Sequence, residues 1–203
     1  NISEDIVKKI FSRLGGFVRV GYILEQIDTF LDDQIREKSK ITFGISIVGM
    51  HNSQDHIFLR KLAGEIKDEL KKSSIGARYV SPPRKEFELN AAQVLRNDIL
   101  RKGFEICILT NEKEEMYGCT MDVQDVDGFA ARDFDKPYTD IKMGTLPPKL
   151  ARMMINLTGL KEGIVWDPFC GSGTILMESA VLGFDILGSD IDPNALQYSD
   201  ENI

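Results

Sequence analysis

Apolar positions near the start of the chain fall four residues apart, at Ile6, Ile10 and Leu14, with polar and charged residues between them, and the run stops at Gly15 and Gly16. That spacing predicts an amphipathic helix over 3–14 with a glycine stop. The period then shortens. FVRVGYIL (17–24) predicts a short strand, followed by a charged helical stretch to about residue 38. From Lys40 the alternation restarts with the β-rich run ITFGISIVG (41–49), after which Leu59, Leu62, Ile66 and Leu70 fall on one face of a helix rich in Lys and Glu. ARYVS (77–81) predicts a strand that Pro82 and Pro83 end; a helix over 90–101 and the strands FEICIL (104–109) and MYGCTMDVQ (116–124) follow.

The stretch DVDGFAARDFDKPYTDIKMGT (125–145) has glycine, proline and many acids but no clear periodicity, and predicts a connector. Behind it, Pro147 and Pro148 suit the first turn of a helix whose apolar face would be Leu150, Met153, Met154 and Leu157, with Gly159 as its end. The segment IVWDPFCGSGTILMESAVLGFDILGSDIDP (164–193) then predicts strand, turn, helix and strand, with Asp192 and Pro193 opening another helix. The fold class is α/β. The expected organisation is a partial domain at 1–39, a compact unit at 40–124, a connector at 125–144 and the start of a Rossmann-like domain at 145–203. The chain opens at Asn1 and closes inside an alternation of strand and helix, so a fragment is expected.

Composition changes this picture little. With 42% hydrophobic and 28% charged residues among 203, the chain has the makings of a packed core. No apolar run approaches the roughly 20 residues that span a bilayer, and the N-terminus lacks the apolar core of a signal peptide, so a cytoplasmic protein without a membrane partner is expected. Cys107, Cys119 and Cys170 are odd in number and lack CxxC spacing, with only His51 and His56 as nitrogen ligands; buried free thiols and no metal site are expected.

The chemistry concentrates at 167–173. A glycine-rich turn between a parallel strand and a helix lets a ligand approach the backbone and sets it against unpaired N–H groups of the helix N-terminus. A dinucleotide turn would read G-x-G-x-x-G with its third glycine at position 176, where this chain has Leu176. The pattern here is D-x-x-x-G-x-G, Asp167 to Gly173, with a second acid, Asp190, at the next strand tip. Carboxylates at those places suit S-adenosylmethionine, whose ammonium needs acceptors and whose ribose hydroxyls a carboxylate can grip. The plainer alternative is that Gly171 and Gly173 only permit a tight turn and Asp190 only caps a neighbouring segment.

These residues resemble a family. DPFCGSGTILMESA, preceded by RDFDKPYTDIKMGTLPPKLARMMINLTG, is similar to the methyltransferase module of THUMP-containing tRNA methyltransferases that act on the exocyclic N2 of guanosine. LGGFVRVGYIL resembles the end of their ferredoxin-like domain, and LNAAQVLRNDILRKGFEICIL resembles the THUMP domain that holds the acceptor end of tRNA. The resemblance implies a THUMP-like RNA-binding domain followed by the start of a Rossmann-like methyltransferase domain, with S-adenosylmethionine as cofactor and tRNA as partner. Carried over by position, Asp167, Phe169, Gly171 and Gly173 would line the methionine part of the cofactor, Asp190 would take the ribose, Ile191 would lie beside the adenine, and the segment from Thr145 would close the site.

Amino methyltransferases present the target base with a motif of the form D/N/S-P-P-aromatic. The family places it after the strands seen here, beyond Ile203, so this chain alone is expected not to transfer a methyl group, and a small partner subunit or self-association would cover its sheet. Two look-alikes occur upstream. SPPR (81–84) would be the motif of a permuted DNA amino methyltransferase but has Arg84 in place of the ring; LPPK (146–149) lacks both acceptor and ring. A module that binds RNA without catalysis stays open as well. The net charge of −7 argues against a uniformly basic nucleic-acid binder, yet residues 57–104 hold eleven Lys or Arg against six acids. Arg84, Lys85, Arg96, Arg101 and Lys102 are the candidate phosphate contacts, an ordinary solvated face being the alternative.

Overall fold

A computed structural model describes residues 2–36, 38–50, 52, 54–111, 114–138 and 144–203. His51 and part of the expected connector lie outside the described residues. In chain order the elements are α1 (Glu4–Ser12), β1 (Arg19–Ile23), α2 (Ile27–Ile35), β2 (Lys40–Gly49), α3 (Asp55–Lys72), β3 (Gly76–Val80), α4 (Ala91–Arg96), α5 (Ile99–Lys102), β4 (Gly103–Thr110), β5 (Glu115–Val123), α6 (Val126–Asp133), α7 (Pro148–Leu157), β6 (Ile164–Asp167), α8 (Thr174–Val181), β7 (Asp185–Gly188) and α9 (Pro193–Asn202). They form two units, one of Val18–Gln124 and one of Asn1–Phe17 with Asp125–Ile203.

The first unit is a five-stranded sheet in the order β1-β5-β4-β2-β3, parallel across β4, β2 and β3 and antiparallel at β5 and β1. Strand β2 is paired on both sides and is buried from Ile41 to Ile47, the polar Thr42 and Ser46 included. Ile41, Phe43, Ile45 and Ile47 alternate onto a core with Phe104, Ile106 and Ile108 of β4, covered by Phe30 and Leu31 of α2 and by Leu59, Ala63, Ile66 and Leu70 of α3. The opposite face carries a buried polar network. Glu105, fully buried, accepts from Ser46 Oγ at 2.5 Å, Thr120 Oγ1 at 2.7 Å and Arg19 Nη1 at 2.8 Å, so its charge is paired and both of its oxygens are hydrogen-bonded. Cys107 and Cys119 are buried free thiols of this sheet, both pushed above the ordinary thiol range by burial.

The helix expected over 90–101 is instead two. Asn90 opens α4 with a capping box to Gln93, and the left-handed conformation of Asp98 (φ 55°) breaks the run before α5. Strand β1, expected within a separate segment at 1–39, pairs antiparallel with β5 and belongs to the five-stranded unit.

In the second unit β6 and β7 pair in parallel, joined through α8, and Val165, Phe184 and Ile155 pack on one another with Ile175 and Leu182 beside them. This is one βαβ crossover, the building block of a Rossmann-like sheet. Two sequence expectations change here. Residues 126–133, without visible periodicity, form α6, nucleated by Asp125, whose carboxylate accepts from the Gly128 N–H at 2.9 Å. Helix α7 buries Ala151, Arg152 and Ile155, while Leu150, Met153, Met154 and Leu157 remain exposed. The face is chosen by charge. Fully buried Glu178 of α8 accepts from Arg152 Nε at 2.7 Å and from Arg132 Nε of α6 at 2.5 Å, with the Arg152 guanidinium 4.6 Å over the Phe129 ring. Similarly, Ile6 and Ile10 of α1 are exposed and Phe11 is the buried residue of that helix.

Candidate cofactor site

The parallel pairing of β6 and β7 ends with Asp167 beside Gly188, so the segments that leave both strands emerge at the same edge. Backbone bonds lace them together: Ser189 N–H donates to Asp167 O at 2.9 Å, and Cys170 N–H donates to Ser189 O at 3.0 Å. Between them the turn 168–173 runs into α8. Gly171 and Gly173 both take left-handed conformations, with φ of 52° and 84°, where a side chain is strained.

Asp190 ties this turn down. Its Oδ2 accepts from the Gly171 N–H at 2.9 Å and its Oδ1 from the Asp192 N–H at 3.0 Å. The N–H groups of Asp192 and then Gly171 hold its carboxyl below the ordinary carboxylate range. Asp167 Oδ1 accepts from the Phe169 N–H at 3.0 Å. The plainer reading of Asp190 as a cap is thus correct as far as it goes. A carboxylate has about four lone-pair sites, and two backbone bonds leave room for ligand hydroxyls.

A cavity of about 360 Å³ opens at this edge, lined by Gly144, Leu146, Asp167, Phe169, Cys170, Gly171, Ser172, Thr174, Ile175, Asp190 and Asp192. That size is ordinary for a small-molecule site. Of the residues expected to bind cofactor, Asp167, Phe169, Gly171 and Asp190 line it together. Thr145 lies between two lining residues without being one. Ile191 is 98% exposed and is not part of the wall. Gly173 is not either; a Cβ there would stand 2.5 Å from Ser199 Oγ, so its want of a side chain serves the approach of α9. Sequence reasoning missed Ser172 and Thr174, although both stand inside the CGSGT run it singled out. It also missed Lys136, which donates to Ser172 Oγ at 3.2 Å and to Thr174 Oγ1 at 3.5 Å from behind the wall. Burial lowers the Lys136 ammonium's pKa, partly offset by Asp133.

The residues fit S-adenosylmethionine better than a dinucleotide. Leu176 is 3% exposed where a pyrophosphate turn would need glycine, while Asp167 and Asp190 offer acceptors and Ser172 and Thr174 offer hydroxyls on the cavity wall. The family described as RMKL-like, methyltransferase domain, matches from Pro137 to the end of the chain. Residues 137–203 carry the signature of a methyltransferase domain. Over 74 residues the chain is 42% identical to a tRNA (guanine(10)-N2)-dimethyltransferase of Methanothermobacter thermautotrophicus, which is 36% of this chain and 21% of that protein. Over 50 residues it is 54% identical to the Methanocaldococcus jannaschii protein of the same name, 24% of this chain and 14% of that one. The chain therefore spans well under a third of these relatives. A solved Thermus thermophilus protein described as a putative DNA modification methylase, complexed with S-adenosyl-L-methionine, aligns over 84% of this chain and 89% of its own at 16% identity and a TM-score of 0.27.

The candidate RNA contacts lie in the other unit, and Arg84, Lys85, Arg96, Arg101 and Lys102 are all exposed. Arg101 and Lys102 both pair with Asp98. Arg84 lines a cavity of about 400 Å³ with His56, Leu59, Arg60, Tyr79, Ser81 and Pro82. The SPPR segment is thus a loop after β3 that contributes a guanidinium and no ring. Among the described residues no cluster of His, Cys, Asp and Glu could hold a metal ion, and no helix is long and apolar enough to cross a membrane.

Proposed function

We propose that this chain carries the cofactor-binding part of an S-adenosylmethionine-dependent RNA methyltransferase that acts on an exocyclic amine of a guanosine in tRNA, in the cytoplasm. The observation that carries the reading is the cavity at the β6–β7 edge, where Asp167 and Asp190 converge on a glycine turn within the segment that matches a methyltransferase domain. Two relatives named tRNA (guanine(10)-N2)-dimethyltransferase support the substrate. Bound there, the cofactor would supply an electrophilic methyl group. Asp190 would take the ribose hydroxyls and Asp167 the methionine ammonium, and the exposed Phe169 ring would shield the methionine part from water. Catalysis of this kind depends chiefly on position, since misplacement by about 1 Å can cost roughly a hundredfold in rate.

Residues 40–124 form the THUMP-like part of the proposal, with Arg84, Lys85, Arg96, Arg101 and Lys102 contacting phosphates of the tRNA. Residues 145–203 are its methyltransferase part; residues 18–39 belong with 40–124 to one unit, and α6 belongs with 145–203 to the other. Self-association through the β6–β7 sheet belongs to the same proposal, because Ile164, Trp166 and Leu187 expose apolar side chains on the face away from α8.

The full-length gene product is the material for the test, because residues 1–203 hold no D/N/S-P-P-aromatic segment. It is incubated with labelled S-adenosylmethionine and unmodified tRNA, and the nucleosides are separated. Label is expected in N2-methylated guanosine and absent in a Gly171→Trp variant. Label in DNA, or in another base, would contradict the reading.

A further inference from the structure

The cavity has two poles of opposite character. Asp167 and Asp190 make one acidic; at the other stand the Ser172 and Thr174 hydroxyls with Lys136 behind them. Lys136 is 7% exposed, and no carboxylate among the described residues lies within ion-pair distance of it. A buried ammonium with only neutral partners is costly unless an anion completes it. An ammonium can only donate, so Ser172 and Thr174 turn lone pairs toward Lys136, and each keeps its own O–H to give away. Neither O–H meets an acceptor among the described residues, and both residues line the cavity. Helix α8 opens at Thr174, and the positive end of its dipole adds to the same pole.

The arrangement is held in place from a third side. Asn202 of α9 donates to Tyr138 O and to Ser172 O, both at 3.0 Å, and accepts from the Tyr138 N–H at 2.9 Å. The rings of Tyr138 and Tyr198 stack 5.0 Å apart. The segment that carries Lys136 is therefore clamped to the glycine turn, and the ammonium is positioned before any ligand arrives.

We propose that Lys136 is a positioning residue which, through Ser172 and Thr174, makes this wall the seat of the methionine carboxylate of S-adenosylmethionine. The inference rests on the cofactor reading above and deepens it. A zwitterionic amino-acid group is what two opposite poles in one cavity fit: its ammonium goes to Asp167, its carboxylate to the hydroxyls.

The test is calorimetric titration with S-adenosylmethionine and with its decarboxylated analogue, which differ only in that carboxylate. Wild-type protein is expected to prefer the carboxylated ligand by about tenfold or more, the scale of a charge-assisted hydrogen bond. Lys136→Met should erase most of that preference by weakening S-adenosylmethionine alone; Lys136→Arg should keep part of it; Ser172→Ala, which leaves the charge in place, should reduce it. Equal weakening of both ligands in Lys136→Met, or no change in either, would overturn the proposal. If Lys136→Met does not fold, Ser172→Ala decides, and undiminished preference there overturns it. Wild-type protein that binds the two ligands equally would refute the carboxylate seat alone. Binding of neither would refute the cofactor reading and this inference with it.

Discussion

Asp190 shows how one side chain carries both architecture and chemistry. Its carboxylate fastens the Gly171 and Asp192 N–H groups and still has lone pairs toward the cavity, so Asp190→Ala is expected to weaken S-adenosylmethionine binding, as the loss of a charged hydrogen-bond partner does. Calorimetry showing unchanged affinity in a folded variant would remove Asp190 from the site. Its depressed pKa also sets a pH window. A carboxylate whose folded pKa lies below its unfolded value of about 3.9 contributes stability that is present above that value and is lost as pH falls through the folded one. The Gly171 amide resonance should therefore hold its position from neutral pH to about pH 4 and move only below it. At Gly173 the constraint is steric. Gly173→Ala puts a Cβ at φ 84° and against Ser199, and should destabilise the protein by about 1–2 kcal/mol from the left-handed backbone alone. Chemical denaturation of this variant, and of the double variant with Ser199→Ala, measures the backbone part directly: the double variant should remain destabilised.

The elements differ in how far the sequence betrayed them. Strand β2, with Ile41, Phe43, Ile45 and Ile47 in alternation, and α3, with Leu59, Ile66 and Leu70 in helical register, were legible because burial of one face decides their pattern. The βαβ crossover was legible for the same reason, and with it Asp167, Gly171 and Asp190. Helix α7 was not. Its apolar side chains predict one face, yet the buried face holds Arg152, because the partner that makes an arginine tolerable there, Glu178, lies 26 residues away in α8. Helix α6 was hidden likewise, its Arg132 being recruited to the same carboxylate. Pairing across elements leaves no periodic trace, which is also why Lys136 escaped notice. The triad gives a strong expectation. Glu178→Ala would leave two buried or half-buried guanidiniums without their anion, and should cost about 3–5 kcal/mol of stability in urea denaturation. A cost below about 1 kcal/mol would mean that α6, α7 and α8 are held by apolar packing instead.

For the whole molecule, the net charge of −7 hides an uneven distribution, and the five-stranded unit carries the exposed bases Arg84, Lys85, Arg96, Arg101 and Lys102. If these bases contact phosphates, reversing Arg84, Lys85, Arg101 and Lys102 to Glu should weaken tRNA binding and flatten the slope of log affinity against log salt, as fewer counterions are released. An unchanged slope would return them to an ordinary solvated face. The central claim is that the edge where β6 and β7 end receives S-adenosylmethionine, and amide NMR of the protein titrated with S-adenosylhomocysteine tests it most directly. The account predicts saturable shifts concentrated at Phe169, Gly171, Ser172, Thr174 and Asp190. Saturable shifts confined to other residues, or none at millimolar ligand, would contradict it.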